Sequence, residues 1–210
     1  MGEEGFFNSL ADTWDELNRY PMDKIEVILN ILNIKSGDTV LDVGTGTGVL
    51  LPLLIKRTEA QNITAIDYAE KMIEKAKNKL AGMAALPAAG PAAVHFITAD
   101  VLEYHFTNGS FNHVICYSVF PHFGDKRAVI QKLSAALKPG GLLSVLHSSS
   151  RTQVNGTHTH IHSHGINSDY LLPAREYIPL MNRNGLKEEH ITDNDEMFVL
   201  CVRKEELGVS

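Results

Sequence analysis

The stretch Leu41-Asp42-Val43-Gly44-Thr45-Gly46-Thr47-Gly48 constrains this chain more than any other. Three glycines alternate with threonines directly after a short apolar run, Thr39 to Val43. They come directly before Val49 to Ile55, which reads as a helix. Glycine permits a tight turn at positive φ and lets another group approach the bare backbone. A strand that ends in such a loop and then enters a helix opens a βα unit. Pro52 falls near the first turn of that helix, where a missing N–H costs little.

The rest of the chain repeats the alternation. Strands are expected over Ile63 to Ile66, Val94 to Ile97, Phe111 to Tyr117 and Leu142 to His147. Between them, Glu70 to Leu80 and Asp125 to Leu137 have helical periodicity. Lys138-Pro139-Gly140-Gly141 is expected to stop the second helix and turn the chain. Residues Ala81 to Ala93 are nearly all Ala, Gly and Pro and read as a loose connector. Before the core, Phe6, Phe7, Leu10, Trp14 and Leu17 recur at helical spacing, and Pro21 opens a second helix bearing Ile25, Ile28, Leu29 and Leu32. After it come a polar, His-rich stretch from Ser148 to Asp169, a helix over Pro173 to Asn184, and a hairpin of Leu186 to Thr192 with Met197 to Arg203. Alternating strands and helices predict an α/β fold on a mainly parallel sheet. The expected organisation is one domain over 1–210. Residues 1–35 form a helical cover, 36–147 a binding core, 148–172 a His-rich loop, and 173–210 a C-terminal helix and hairpin.

Composition narrows the function. The net charge of −6 argues against nucleic acid as a partner, since phosphate binding needs basic surface. No apolar run reaches the roughly 20 residues that span a bilayer, and the acidic start, Met1 to Phe7, is unlike a signal peptide. Cys116 and Cys201 each lie in an apolar run, which favours buried thiols in a reducing cytoplasm over a disulfide. A monomer or homodimer free of membranes is the expectation.

Two more acids sit where a ligand would meet the strand ends. Asp67 ends the second strand and Asp100 the third. An acid at the first position can accept hydrogen bonds from ribose hydroxyls. One at the second can accept from an adenine amine while the Val101 backbone pairs with the ring. Each alone could simply cap a helix, but three acids at three successive strand ends suit a nucleoside. A nicotinamide fingerprint has the spacing G-x-G-x-x-G, fitted to a pyrophosphate. Here the third glycine comes early, as Gly44-x-Gly46-x-Gly48, and Asp42 precedes the loop. A carboxylate there would repel a pyrophosphate but could hold an ammonium. S-adenosylmethionine (SAM) carries an ammonium and a sulfonium and no phosphate, so it is favoured over NAD.

These segments, with Leu137-Lys138-Pro139-Gly140-Gly141, resemble in order the motifs of class I SAM-dependent methyltransferases, closest to the small, ubiquinone-biosynthesis-like branch. The likeness covers roughly Leu41 to Leu146. It implies a seven-stranded, Rossmann-like sheet with a reversed final hairpin and N-terminal helices covering the cofactor. It also implies roles. Gly44, Thr45, Gly46 and Gly48 would lie along the carboxypropyl part of SAM. Asp67 would hold both ribose hydroxyls, with Tyr68 and Met72 beside the adenine, and Asp100 and Val101 would read the adenine edge. The motifs say little about the acceptor, beyond a small molecule.

For the chemistry, Tyr117 at the end of the fourth strand could face the sulfonium. If the acceptor must lose a proton, His122 and His147 are the candidate bases, because imidazole titrates near neutral pH. The tract His158, His160, His162 and His164 places a histidine at every second position. On an extended strand these would share one face, though about 6.5 Å apart. With His147 they could converge on a divalent metal such as zinc at the mouth of the acceptor site. The default reading of the tract is a polar lid over the acceptor site. The rivals to a methyltransferase are an NAD-dependent oxidoreductase and a protein that binds SAM or metal without transfer.

Overall fold

The computed structural model describes residues 3–83, 94–162 and 169–206. Seven strands form one mixed sheet in the order β3-β2-β1-β4-β5-β7-β6, the Rossmann-like architecture the alternation predicts. The chain divides into two compact units, Met1–Tyr104 and His105–Ser210. Among the described residues no helix is long and apolar enough to cross a membrane.

The first unit contains α1 (Glu3–Leu10), α2 (Trp14–Leu17), α3 (Met22–Ile31), β1 (Val40–Val43), α4 (Leu51–Ile55), β2 (Ile63–Asp67), α5 (Glu70–Gly82) and β3 (His95–Thr98). β1 pairs in parallel with β2, Val40 opposite Ile63, and β2 with β3, Asp67 opposite Thr98. All four residues of β1 are buried, as expected of a parallel strand covered on both faces. α5 buries Met72, Ile73, Ala76 and Leu80 along one face and leaves its lysines outside. The first expected helix is in fact two, because residues 11–13 form a turn between α1 and α2.

The second unit contains β4 (Phe111–Tyr117), a 3₁₀ turn at Phe120–His122, α6 (Lys126–Ala136), β5 (Leu137–His147), α7 (Arg151–His162), α8 (Ala174–Asn182), β6 (Leu186–Asp193) and β7 (Phe198–Lys204). β4 and β5 are parallel, while β5 with β7 and β6 with β7 are antiparallel, which gives the expected hairpin.

Two expectations need correction here. Lys138 to Gly141 do not turn the chain out of the sheet. They form an irregularity inside β5, which already pairs at Leu137 with Phe111 and resumes at Leu142 opposite His113. Gly140 takes φ +75°, and a Cβ on Gly141 would lie 2.9 Å from the Lys138 carbonyl oxygen. The Pro-Gly-Gly signal therefore marks a bulge. The second correction concerns the His-rich segment expected as a loop over 148–172. Arg151 through His162 is an α-helix. Ser150 caps it. Its Oγ accepts from the Gln153 N–H at 3.2 Å, and Gln153 Oε1 accepts from the Ser150 N–H at 3.0 Å. This reciprocal pair is a capping box, and Ser-x-x-Gln was there to be read.

Candidate functional site

The glycine loop turns back from β1 under direct control of β2. The N–H groups of Gly44 and Thr45 both donate to the Ile66 carbonyl oxygen, at 2.8 and 3.1 Å. Gly44, Gly46 and Gly48 all have positive φ, at 66°, 55° and 78°. Their side-chain environments differ. A Cβ on Gly48 would meet Leu51 Cδ1 at 2.9 Å and Ala76 Cβ at 3.0 Å, so this glycine lets the loop and α4 pack against α5. A Cβ on Gly46 would meet nothing within 4 Å. Gly46 therefore presents bare backbone where a ligand can approach, as the fit to a cofactor requires.

Asp67 is the centre of this unit's polar arrangement. Its carboxylate accepts from the Gly46 N–H at 2.9 Å and from the Ala69 N–H at 2.9 Å. Burial raises its pKa, against the lowering effect of backbone bonds from Ala69, Gly46 and Tyr68. A carboxylate has about four acceptor sites, so the backbone fixes its orientation and leaves capacity for a ligand hydroxyl. Asp67 thus ties the glycine loop to β2.

Asp42 is 1% exposed and lies beneath the loop. Its Oδ2 accepts from Thr45 Oγ1 at 2.7 Å. Burial pushes its pKa up to about 7, with the Thr45 bond opposing and the neighbouring Asp67 charge adding. It is an internal support of the loop more than a surface group. Asp100 is exposed, and its Oδ1 accepts from the Leu102 N–H at 2.7 Å. Its carbonyl oxygen accepts from Glu103 and Tyr104, so it also shapes its own turn, beside the buried Val101. The capping and ligand-binding readings of Asp67 and Asp100 are compatible.

The two aromatic-side positions are covered by the N-terminal helices. Met72, Ala69 and Ala11 form a buried cluster against which Phe7 and Trp14 pack. The Phe7 and Tyr68 rings meet edge to face at 6.0 Å. Trp14 Nε1 donates to the Tyr20 hydroxyl at 2.8 Å. The first unit therefore brings together Asp42, Gly44, Thr45, Gly46, Gly48, Asp67, Tyr68 and Met72, with Asp100 and Val101 at the next strand end.

The second unit holds the residues proposed for chemistry. Tyr117 is buried at the end of β4, and its hydroxyl lies 2.8 Å from Ser148 Oγ. Burial raises its pKa, while bonds with Ser148 and Ser118 oppose the rise. Ser118 takes φ +54°, a rare conformation for a residue with a Cβ. Strain of this kind clusters at functional positions. Neither Ser118 nor Ser148 was singled out in the sequence, and no local pattern marks them. His122 is half-buried at the end of its 3₁₀ turn. His147 is buried against Phe198, the rings edge to face at 6.0 Å.

The metal expectation loses its geometric basis. His158, His160 and His162 lie on a helical backbone, where alternate positions fall on different sides. The shared face of an extended strand does not exist. His164 lies outside the described residues. Among the described residues no group of three or more His, Cys, Asp or Glu could hold a metal.

Comparison with known proteins agrees with this geometry. The sequence model of the methyltransferase-domain family matches residues 40–141, from β1 into β5. Over these residues the chain carries a methyltransferase domain of that family. It is 31% identical, over 66% of its length and 46% of the relative's, to a malonyl-[acyl-carrier protein] O-methyltransferase of Acetivibrio thermocellus. It is 30% identical to a demethylmenaquinone methyltransferase of Thermotoga maritima, over 67% of this chain and 58% of that one. The matched region thus spans about half the length of these curated relatives. In fold, it is similar to the geranyl diphosphate C-methyltransferase of Streptomyces coelicolor, solved with Mg²⁺, geranyl diphosphate and S-adenosyl-L-homocysteine. That match has a TM-score of 0.70 at 13% identity, covering 89% of this chain and 81% of the other. These matches favour methyl transfer over the NAD-dependent oxidoreductase alternative.

Proposed function

We propose that this methyltransferase transfers the methyl group of SAM to a small-molecule acceptor, with residues 1–210 acting as one domain. The observation that carries the reading is Asp67. Its buried carboxylate is aimed by the Gly46 and Ala69 N–H groups at the end of β2, beside a glycine whose open side a ligand can approach. The named relatives act on an acyl-carrier-bound malonyl group and on a quinone. Together they support a small acceptor group, which in the first relative is carried on a protein. The charge of −6 also favours a partner other than nucleic acid. The cytoplasm is the expected setting, and a monomer or homodimer the expected state.

Bound SAM supplies an electrophilic methyl on a sulfonium, and the chain's task is alignment. Asp67 takes the ribose hydroxyls, and Asp100 with the Val101 backbone takes the adenine edge. Gly46 admits the amino-acid portion, over a loop that Asp42 supports through Thr45. Tyr117, whose pKa is raised, stays protonated at neutral pH. It therefore serves as a hydrogen-bonding wall held by Ser148 and not as a base. Where the acceptor must lose a proton, His122 is the better candidate, because His147 is packed against Phe198. Incubating the chain with methyl-labelled SAM and fractionated metabolites tests the reading. Label should appear in a small-molecule fraction. SAM binding without transfer to any fraction would leave a binding protein instead.

A further inference from the structure

The N-terminal segment is fastened along α5 by three polar rungs in register. Asn8 Oδ1 accepts from the Lys71 N–H at 2.9 Å. Asp12 pairs with Lys75 Nζ at 2.6 Å, and Asp15 with Lys79 Nζ at 2.7 Å. Lys71, Lys75 and Lys79 are spaced four apart, so they follow one face of the helix. The first rung has a backbone purpose. The N-cap of α5, Ala69, offers no side-chain cap, and Asn8 satisfies one of the helix's first N–H groups from 63 residues away.

The third rung differs from the second in what else it touches. Asp15 Oδ1 also accepts from Thr47 Oγ1, at 2.5 Å. Lys79 Nζ donates to that same hydroxyl at 3.2 Å. Thr47 is 2% exposed and stands between Gly46 and Gly48, both at positive φ. Its hydroxyl is thus held from two sides. A glycine-rich loop has little intrinsic stiffness, so this hold on Thr47, added to those of Asp42 on Thr45 and Asp67 on the Gly46 N–H, helps set where the bare Gly46 backbone lies.

From this we infer that Asp15 is a positioning residue for the cofactor loop. It acts through Thr47 and makes the N-terminal segment an electrostatic latch whose closure fixes the loop. The inference rests on the reading that the first unit holds SAM. The latch itself is independent of the acceptor. Both ion pairs are partly exposed, so dissolved salt weakens them. Cofactor release should therefore accelerate as ionic strength rises.

The two acids provide an internal control. Asp12→Asn and Asp15→Asn each remove one ion pair with a lysine of α5, but only Asp15→Asn also weakens the hold on the glycine loop, because a neutral amide is a poorer acceptor for the Thr47 hydroxyl and loses the charge shared with Lys79. Three quantities are measured at low and high salt: acrylamide quenching of Trp14, amide hydrogen exchange over residues 44–50, and the dissociation rate of S-adenosylhomocysteine. Both variants should raise Trp14 quenching. Only Asp15→Asn should speed exchange over 44–50, and it should speed release about fivefold, the scale of a partly exposed pair. Asp15→Glu should restore part of the loss. Equal release and equal loop exchange in the two variants would reduce Asp15 to an ordinary anchor and overturn the inference. If the unmodified chain fails to bind the ligand, the cofactor reading falls, and loop exchange in Asp15→Asn still decides the latch.

Discussion

The glycine loop and the histidine tract are both short, repetitive stretches, yet the chain uses them in opposite ways. In the loop, each glycine answers to a specific physical demand. Gly48 makes room for Leu51 and Ala76, Gly46 presents bare backbone, and all three adopt positive φ. In the tract, the alternation of histidines has no structural counterpart at His158, His160 and His162, because those positions lie on α7. The difference is that the loop's residues are required by backbone geometry, while the histidines are tolerated by it. A repeated residue constrains a fold only where its own chemistry excludes the alternatives.

Gly48 is where the demand of backbone geometry on the loop is strongest. Gly48→Val places a branched side chain at φ +78°, with its Cβ 2.9 Å from Leu51 and 3.0 Å from Ala76. Strain and overpacking together should cost about 3 kcal/mol of stability. Chemical denaturation reads this directly. A loss under about 0.5 kcal/mol would mean that the loop adapts and that its glycines are not individually required.

A second prediction concerns Asp42 beneath the same loop. Its folded pKa, about 7, lies above the ordinary 3.8. The folded state therefore holds a proton that the unfolded chain releases first. Asp42's contribution to stability is fully present below pH 3.8 and is lost as pH rises to about 7. Cofactor binding should show the reverse trend, because an ammonium near the loop favours the ionised carboxylate. Affinity for S-adenosylhomocysteine should fall as pH drops below about 7, by up to about tenfold per pH unit. Asp42→Asn should flatten both profiles. A profile unchanged in that variant would place the titrating group elsewhere.

The smallest effect sharpens the tract half. Ser150→Ala removes the cap of α7 and should cost about 1 kcal/mol, with cofactor affinity unchanged. A loss of helix signal confined to this variant would confirm α7 in solution. No change in stability would return the segment to the loop first expected.

What was legible follows the same line. β1, β2, α5 and β4 fall within two residues of their expected bounds, because periodicity and burial are local signals. Asp67 and Asp100 were singled out as candidates because an acid at a strand end is recognisable beside a glycine loop. The start of β5 was missed, since Pro139 and Gly140 look the same in a turn and in a bulge. α7 was missed because the alternating histidines outweighed the Ser150–Gln153 cap. The rungs from Asp12 and Asp15 to α5 had no signal to find, since each joins residues more than 60 positions apart. Ser148 beneath Tyr117 is of the same kind, brought there by β5 rather than by sequence proximity.

The central claim is that Asp67 and the glycine loop hold SAM. Titration calorimetry with SAM, S-adenosylhomocysteine and NAD, on the unmodified chain and on Asp67→Ala, tests it most directly. The account predicts that both adenosyl ligands bind and NAD does not. Asp67→Ala should weaken binding about a hundredfold, since it loses hydrogen bonds to a charged acceptor worth roughly 1.5–3 kcal/mol each. That variant should also lose some stability, because the Gly46 and Ala69 N–H groups lose their acceptor. NAD binding tighter than SAM, or full affinity in Asp67→Ala, would contradict the account.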